Sequence, residues 1–259
     1  MFEAIKTFRK RLADGLISIG PGIYLADPRV TDALADSVDF FWIELEHNAL
    51  SHDSLCGHLM AARGKGKPGL VRLPDGSASF IKPMLDSGAD GIIVPQVRSA
   101  DEVRHIVADC RYPPVGKRGF GPLVPTNYGR ANQAEYLEQA NSSVFVSVMI
   151  ETVEAVQAID RIVAIPGLDS VILGPWDLSG SLGLLGNVEH PKVVAAMEKV
   201  IDKARAAGLG VGSGMGLDVD FAAAQVKRGV QWLQMGCDIS YMVLCMDQIT
   251  SSVRNRLNP

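Results

Sequence analysis

Short apolar, β-branched runs recur along the chain. Each is followed by a polar turn and then a longer segment with apolar residues three and four apart. The runs predict strands at Ile17 to Tyr24, Phe40 to Glu46, Leu70 to Leu73, Gly91 to Val97, Val144 to Glu151, Ser170 to Gly174, Leu209 to Ser213 and Trp232 to Gly236. Helical periodicity is expected over Ala78 to Ser87, Ala100 to Cys110, Thr152 to Ile165 and Pro191 to Ala207, the last opening on a first-turn proline. Pro83 is expected to kink or shorten the first of these. Gly88, Gly167 and Gly208 stand just before strands, where a left-handed helix terminus is wanted.

Eight units in 259 residues average roughly 32 residues each, the size of a βα repeat. The runs IIVPQV and VFVSVMI are continuously apolar rather than alternating, as parallel strands covered on both faces should be. A single-domain α/β (β/α)8 barrel, the TIM barrel, spanning residues 1–259 is therefore expected. An open doubly wound sheet is the alternative. The longest aperiodic stretch, Pro113 to Ser143, is expected to be a functional loop or a subunit contact.

Composition narrows the function classes. Apolar residues make up 47% and charged residues 21%, which disfavours disorder and coiled coil. A formal charge of −4 provides no field for nucleic acid or anionic membranes, so neither is an expected partner. The N-terminus lacks the apolar stretch of a secretory signal, and no run of about 18 apolar residues suggests a membrane span. Cys56, Cys110, Cys237 and Cys245 form no CxxC pair and suggest neither zinc nor disulfides. Reduced thiols in a cytoplasmic protein are expected.

In such a barrel the chemistry sits at the C-terminal strand ends. There the sequence places Glu44, Glu46 and His47 in WIELEH, Arg72 in VRLP, Gln96 in VPQV, Glu151 in MIE, and Asp177 in LGPWDLSGSLG. Glu151 and Asp177 can hold a hard divalent ion with positions left for water and substrate oxygens, although each alone could be a solvated charge or a helix cap. His47 can transfer protons near neutrality, with Glu44 or Glu46 to orient it. Arg72, in a buried run, needs an anion, either a substrate carboxylate or an acid of the protein. His52, His58, His105 and His190 share no strand end with acids, and no lysine falls inside a predicted strand, so a Schiff base lacks a nucleophile. The GSGMG stretch, Gly212 to Gly216, suits either a phosphate cradle or a tight backbone approach.

These motifs, together with VRLPDGSASFIKPMLDSGADGIIVPQV, CRYPPVGKRGFG, VSVMIETVEAV and LGPWDLSGSLGLLGNVEHP, resemble the HpcH/HpaI aldolases over essentially the whole chain. Those are class II, metal-dependent enzymes that make or cleave 2-oxo acids through a pyruvate enolate. The resemblance implies metal ligands at Glu151 and Asp177 for Mg²⁺, with Mn²⁺ or Co²⁺ as alternatives. It implies a catalytic His47 with Glu44 as companion acid, and Arg72 stabilising the enolate. Pyruvate would chelate the ion, its carboxylate meeting backbone amides around Gly174 and Trp176, and an aldehyde would be the second substrate. It also implies a homo-oligomer, a trimer or hexamer, with Asp86 reaching a neighbouring subunit. Three positions depart from the family: Glu44 is commonly Asp, Met149 stands where a Gln is usual, and Trp176 replaces a small residue and is expected to narrow the pocket. The loop after Arg118 also differs, and the acceptor aldehyde stays open. A citrate-lyase-like thioester lyase and a non-catalytic metabolite-binding barrel are the alternative functions.

Overall fold

The computed structural model describes residues 2–257, so residues 1, 258 and 259 of the predicted domain lie outside the described ones. Eight strands pair side by side in chain order, all parallel: β1 (Ser18–Ile23), β2 (Phe41–Glu44), β3 (Gly69–Arg72), β4 (Gly91–Val94), β5 (Phe145–Ile150), β6 (Ser170–Leu173), β7 (Gly210–Met215) and β8 (Trp232–Cys237). β1 also pairs with β8, which closes the barrel and excludes the open sheet.

Around and below the barrel lie α1 (Glu3–Ala13), α2 (Arg29–Leu34), α3 (His52–Gly64), α4 (Ala78–Asp86), α5 (Ala100–Cys110), α6 (Gln133–Ser143), α7 (Val153–Gln157), α8 (Ile159–Ile162), α9 (Pro175–Ser181), α10 (Pro191–Ala206), α11 (Val219–Arg228) and α12 (Asp238–Leu257). No helix among the described residues is long and apolar enough to cross a membrane.

Two expectations are corrected. The helix expected over Thr152 to Ile165 is two short ones, because Ala158 turns to ψ 2° and ends the first spiral. The aperiodic stretch from Pro113 contains α6, which Asn132 caps by accepting from Ala134 N and Glu135 N. Its sequence QAEYLEQANSS is polar nearly all round and buries only Tyr136, Ala140 and Ser143, too narrow a stripe to stand out as a period.

Strand alternation sorts the core into two layers. Ile43, Val71, Ile92, Val148 and Val171 point outward against the helices, while Trp42, Leu70, Ile93, Phe145, Met149, Ile172 and Trp232 fill the barrel. Below them α1 plugs the N-terminal mouth, with Phe8 5.4–5.9 Å by ring centroids from Phe40, Phe145 and Trp232. The Trp232 indole fits only because Gly212 faces it: a Cβ there would lie 2.3 Å from the ring. Its Nε1 donates to Ser170 Oγ at 3.0 Å. With rings and aliphatic side chains filling its N-terminal end and middle, the barrel leaves its C-terminal mouth for polar side chains.

Candidate active site

Glu44 and Arg72 are register partners on β2 and β3 and point into the barrel mouth. Glu44 is 1% exposed, and all its hydrogen-bonding capacity is used. Its Oε1 accepts from the backbone N–H of Glu46 (2.7 Å) and His47 (3.0 Å), and its Oε2 from Trp42 Nε1 (3.1 Å) and Arg72 Nε (2.6 Å). Arg72 also meets Glu44 Oε2 through Nη2 (2.6 Å) and Glu46 Oε2 through Nη1 (2.9 Å), and lies over the Trp42 ring at 5.4 Å. Burial works against the guanidinium charge, but the Glu44 and Glu46 carboxylates outweigh it and hold its pKa above the ordinary value.

The companion of the His47 imidazole is Glu46, whose Oε2 lies 3.6 Å from His47 Nε2. Glu44, assigned that place from the resemblance, instead anchors the backbone of the segment carrying both residues. His47 is largely exposed, whereas Glu46 is mostly covered, and burial pushes its carboxyl above the usual range against the pull of Arg72. Glu46 Oε2 is paired in charge with Arg72 Nη1 but makes no hydrogen bond of good geometry.

Across the mouth, Glu151 follows β5, is 2% exposed, and accepts from Gln96 N at 2.7 Å. Gln96 makes that bond from a left-handed backbone at φ 55°, a strained conformation for a non-glycine residue. Gly174 is the other condition: a Cβ there would fall 2.3 Å from Glu151 Oε2. Glu151 and Asp177, in the first turn of α9, line one cavity of about 330 Å³ with Gln96, Arg98, Thr152 and Leu185. Burial, and next the carboxylates of Asp177 and Glu46, push Glu151 up to about 7 despite the Gln96 N–H.

Four residues acquire definite surroundings. Met149 Sδ sits 3.9 Å from Arg72 Nη1, filling the barrel beneath the guanidinium. Tyr24, at the end of β1, was not singled out from sequence; burial and the Glu44 carboxylate raise its phenol, and Arg72 opposes them. Trp176 does not narrow the Glu151–Asp177 cavity. It is 61% exposed and borders a separate groove of about 480 Å³ with Val188, Glu189, Met215, Asp218 and Phe221. Ser179 Oγ, bonded to Trp176 O (2.6 Å) and Gly186 N (2.9 Å), brings Gly186 against the indole and turns it that way. Asp86, expected to reach a neighbour, is ion-paired within this chain to Arg118 Nη2 at 2.5 Å.

The balance of charge indicates what the mouth can hold. Glu44, Glu46, Glu151 and Asp177 share the mouth with Arg72, and Arg98 at the cavity rim is largely exposed and faces Glu154, which leaves an excess of negative charge. Among the described residues no three His, Cys, Asp or Glu side chains form a closed metal cage. Two carboxylates with open space beside them suit Mg²⁺, which keeps several waters, better than an ion demanding a full protein shell. The GSGMG glycines serve packing at Gly212, and the segment's Ser213 Oγ is turned to Leu173 O at 3.4 Å.

A family profile described as HpcH/HpaI aldolase/citrate lyase matches residues 27–244. The chain is 34% identical to a hydroxypyruvate/pyruvate aldolase of Pseudomonas aeruginosa over 95% of its own length and 91% of that protein's. It is 34% identical to a 2-keto-3-deoxy-L-rhamnonate aldolase of Salmonella gallinarum over 93% and 90%. The crystal structure of an HpcH/HpaI aldolase from Desulfitobacterium hafniense superposes with a TM-score of 0.89 at 33% identity, covering 95% of this chain and 96% of that one. Matches that run this far along both partners leave one assignment: the chain belongs to the HpcH/HpaI aldolase/citrate lyase family.

Proposed function

We propose that the protein is a divalent-metal-dependent aldolase that cleaves or forms 4-hydroxy-2-oxo acids, with pyruvate as one product and an aldehyde as the other. The observation that carries this reading is the Glu44–Arg72–Glu46 lattice facing a buried, raised-pKa Glu151 and its neighbour Asp177 across one barrel mouth. Glu151 and Asp177 would hold the ion. When bound, it supplies a Lewis acid that polarises the 2-oxo carbonyl. Arg72, fixed by two carboxylates and Trp42, is already oriented to stabilise the enolate oxygen. His47, backed by Glu46, takes the C4 hydroxyl proton in cleavage and exchanges a proton with C3 of pyruvate. Met149 and the backbone around Gly174 would shape the pyruvate site from below and beside it.

The test follows pyruvate release from a panel of 4-hydroxy-2-oxo acids, and C3 deuterium exchange of pyruvate, before and after complete metal removal. Both activities are expected to vanish with EDTA and to return with Mg²⁺, Mn²⁺ or Co²⁺; activity that survives metal removal overturns the reading. Trp176 borders the acceptor side, since it adjoins Asp177 but faces the neighbouring groove. Trp176→Ala is therefore expected to change kcat/KM among acceptor aldehydes by about tenfold, leaving pyruvate exchange within about twofold. Equal loss in both assays would place the indole elsewhere.

The protein is also proposed to be a homo-oligomer, a trimer or hexamer by family resemblance. α12 supports this: only Asp238 in it is buried, while Met242, Val243, Met246, Ile249 and Val253 are more than half exposed. Val243→Asp should lower the mass measured by light scattering, and an unchanged mass would remove α12 from the interface.

A further inference from the structure

The turn that leaves β1, Tyr24–Leu25, belongs to no helix or strand, yet all four of its backbone polar groups meet side chains from elsewhere. Asp238 Oδ2 accepts from both Tyr24 N (3.0 Å) and Leu25 N (2.9 Å). Asn48 Nδ2 donates to Tyr24 O at 2.7 Å, and His58 Nε2 donates to Leu25 O at 2.8 Å. Donation from Nε2 leaves His58 Nδ1 to accept from Thr31 Oγ1, at 2.8 Å. Asp238 is 2% exposed, and its Oδ1 accepts from Ile239 N at 2.8 Å, so one buried carboxylate both opens α12 and grips a turn more than 200 residues away.

This clamp ends beside the proposed catalytic groups. Asn48 follows His47 directly, and the segment 46–48 is held by Glu44 Oε1 on the N–H groups of Glu46 and His47, by the ion pair of Glu46 with Arg72, and by Asn48 on the β1 turn. Glu44 is bound in turn to Arg72. Hydrogen bonds joined by short stretches of main chain therefore run from the first residue of α12, through Tyr24 and Asn48, along the backbone to His47 and Glu46, and on to Glu44 and Arg72.

We propose that Asn48 and Asp238 are positioning residues for proton transfer, acting through the Tyr24–Leu25 turn to hold His47 and Glu46 over Arg72. The proposal rests on the aldolase reading above. A loop tie with only a structural role would lower stability and leave chemistry alone. A positioning role instead lowers the rate of the proton-transfer steps while pyruvate binding, which depends on Glu151 and Asp177 across the mouth, persists. The same clamp makes the setting of His47 depend on how α12 is seated.

The experiment compares Asn48→Ala, Asp238→Asn and the double variant in the full-length, metal-loaded protein. It measures kcat and KM for cleavage, pyruvate C3 exchange, and the thermal midpoint. Asn48→Ala is expected to lower kcat and the exchange rate by about tenfold with pyruvate KM within about twofold. Asp238→Asn, which keeps an acceptor oxygen, should give a smaller fall of the same kind. The double variant should lose less than the product of the single losses, because both act through one turn. Unchanged kcat and exchange with a lowered midpoint would overturn the proposal, as would multiplicative losses. His47→Gln is the separate control: if it keeps full exchange activity, the catalytic reading itself fails rather than the clamp.

Discussion

Arg72→Lys is expected to lower kcat/KM for aldol cleavage by about 10²–10³-fold in a protein that still folds and still binds metal. A lysine keeps the positive charge but not the planar fork. Arg72 uses Nε and Nη2 on Glu44 Oε2, both at 2.6 Å, and Nη1 on Glu46 Oε2 at 2.9 Å, so its orientation is set before substrate arrives. Arg72 has five N–H donors and spends three contacts on the two carboxylates, whereas an ammonium has three donors in all and would have none left for the enolate oxygen. Loss of a preorganised donor of this kind is typically worth about 10²–10³ in rate. The structural cost is smaller, because a positive charge remains among the carboxylates and one or two hydrogen bonds are lost, about 1–3 kcal/mol. That is a fraction of an ordinary domain's stability, and the melting point should fall by only a few degrees. Glu151 and Asp177 contribute nothing to these contacts, so metal affinity should change little. Steady-state kinetics beside calorimetric metal titration separates the effects, and activity within about tenfold of the parent would remove Arg72 from enolate stabilisation.

The barrel was legible because a strand covered on both faces must be apolar throughout, so each strand stands out as an unbroken run between glycines and polar turns. The same physics exposed Glu44, Arg72 and Glu151, since a charge at the end of such a run must have a partner or a task. The parts that were not legible lie just beyond strand ends. β2 stops at Glu44, so period-two alternation says nothing about whether Glu44 or Glu46 approaches the His47 ring; the backbone turn held by Glu44 Oε1 decides it. Gln96 bonds Glu151 through a backbone in the left-handed region, and residue type gives no hint of that. Tyr24 and Asp238 come together only when β8 closes on β1, a long-range pairing without local signature. The bulk of Trp176 is plain in the sequence and suggests a narrowed pocket, but its direction depends on Ser179 and Gly186, residues with no visible tie to it in sequence, and takes it to the neighbouring groove.

Glu151→Gln is expected to abolish metal-dependent activity and, in the metal-free protein, to raise stability at alkaline pH. Glu151 is 2% exposed, with its folded pKa raised from 4.5 to about 7. A carboxyl with a raised pKa is favoured in the folded state when protonated. Folding is unpenalised below the unfolded value, loses stability as pH climbs from about 4.5 to about 7, and carries the full cost above that. The cost is about 3 kcal/mol when the group is fully ionised. A neutral glutamine removes it and can still accept the Gln96 N–H through its amide oxygen, in space that Gly174 keeps open. In EDTA at pH 8 the variant should therefore melt several degrees above the parent, and the gain should shrink to nothing near pH 4.5. Added Mg²⁺ reverses the order: it binds the folded parent and raises its melting point by mass action, and should leave the variant unmoved. For the parent the same titration implies that metal affinity weakens below about pH 7, where ion and proton compete for one carboxylate. Melting curves at pH 5, 7 and 8, with EDTA and with Mg²⁺, read all of these effects together. A variant less stable than the parent in EDTA at pH 8 would mean that Glu151 is satisfied without a cation, and the ion site would have to lie elsewhere.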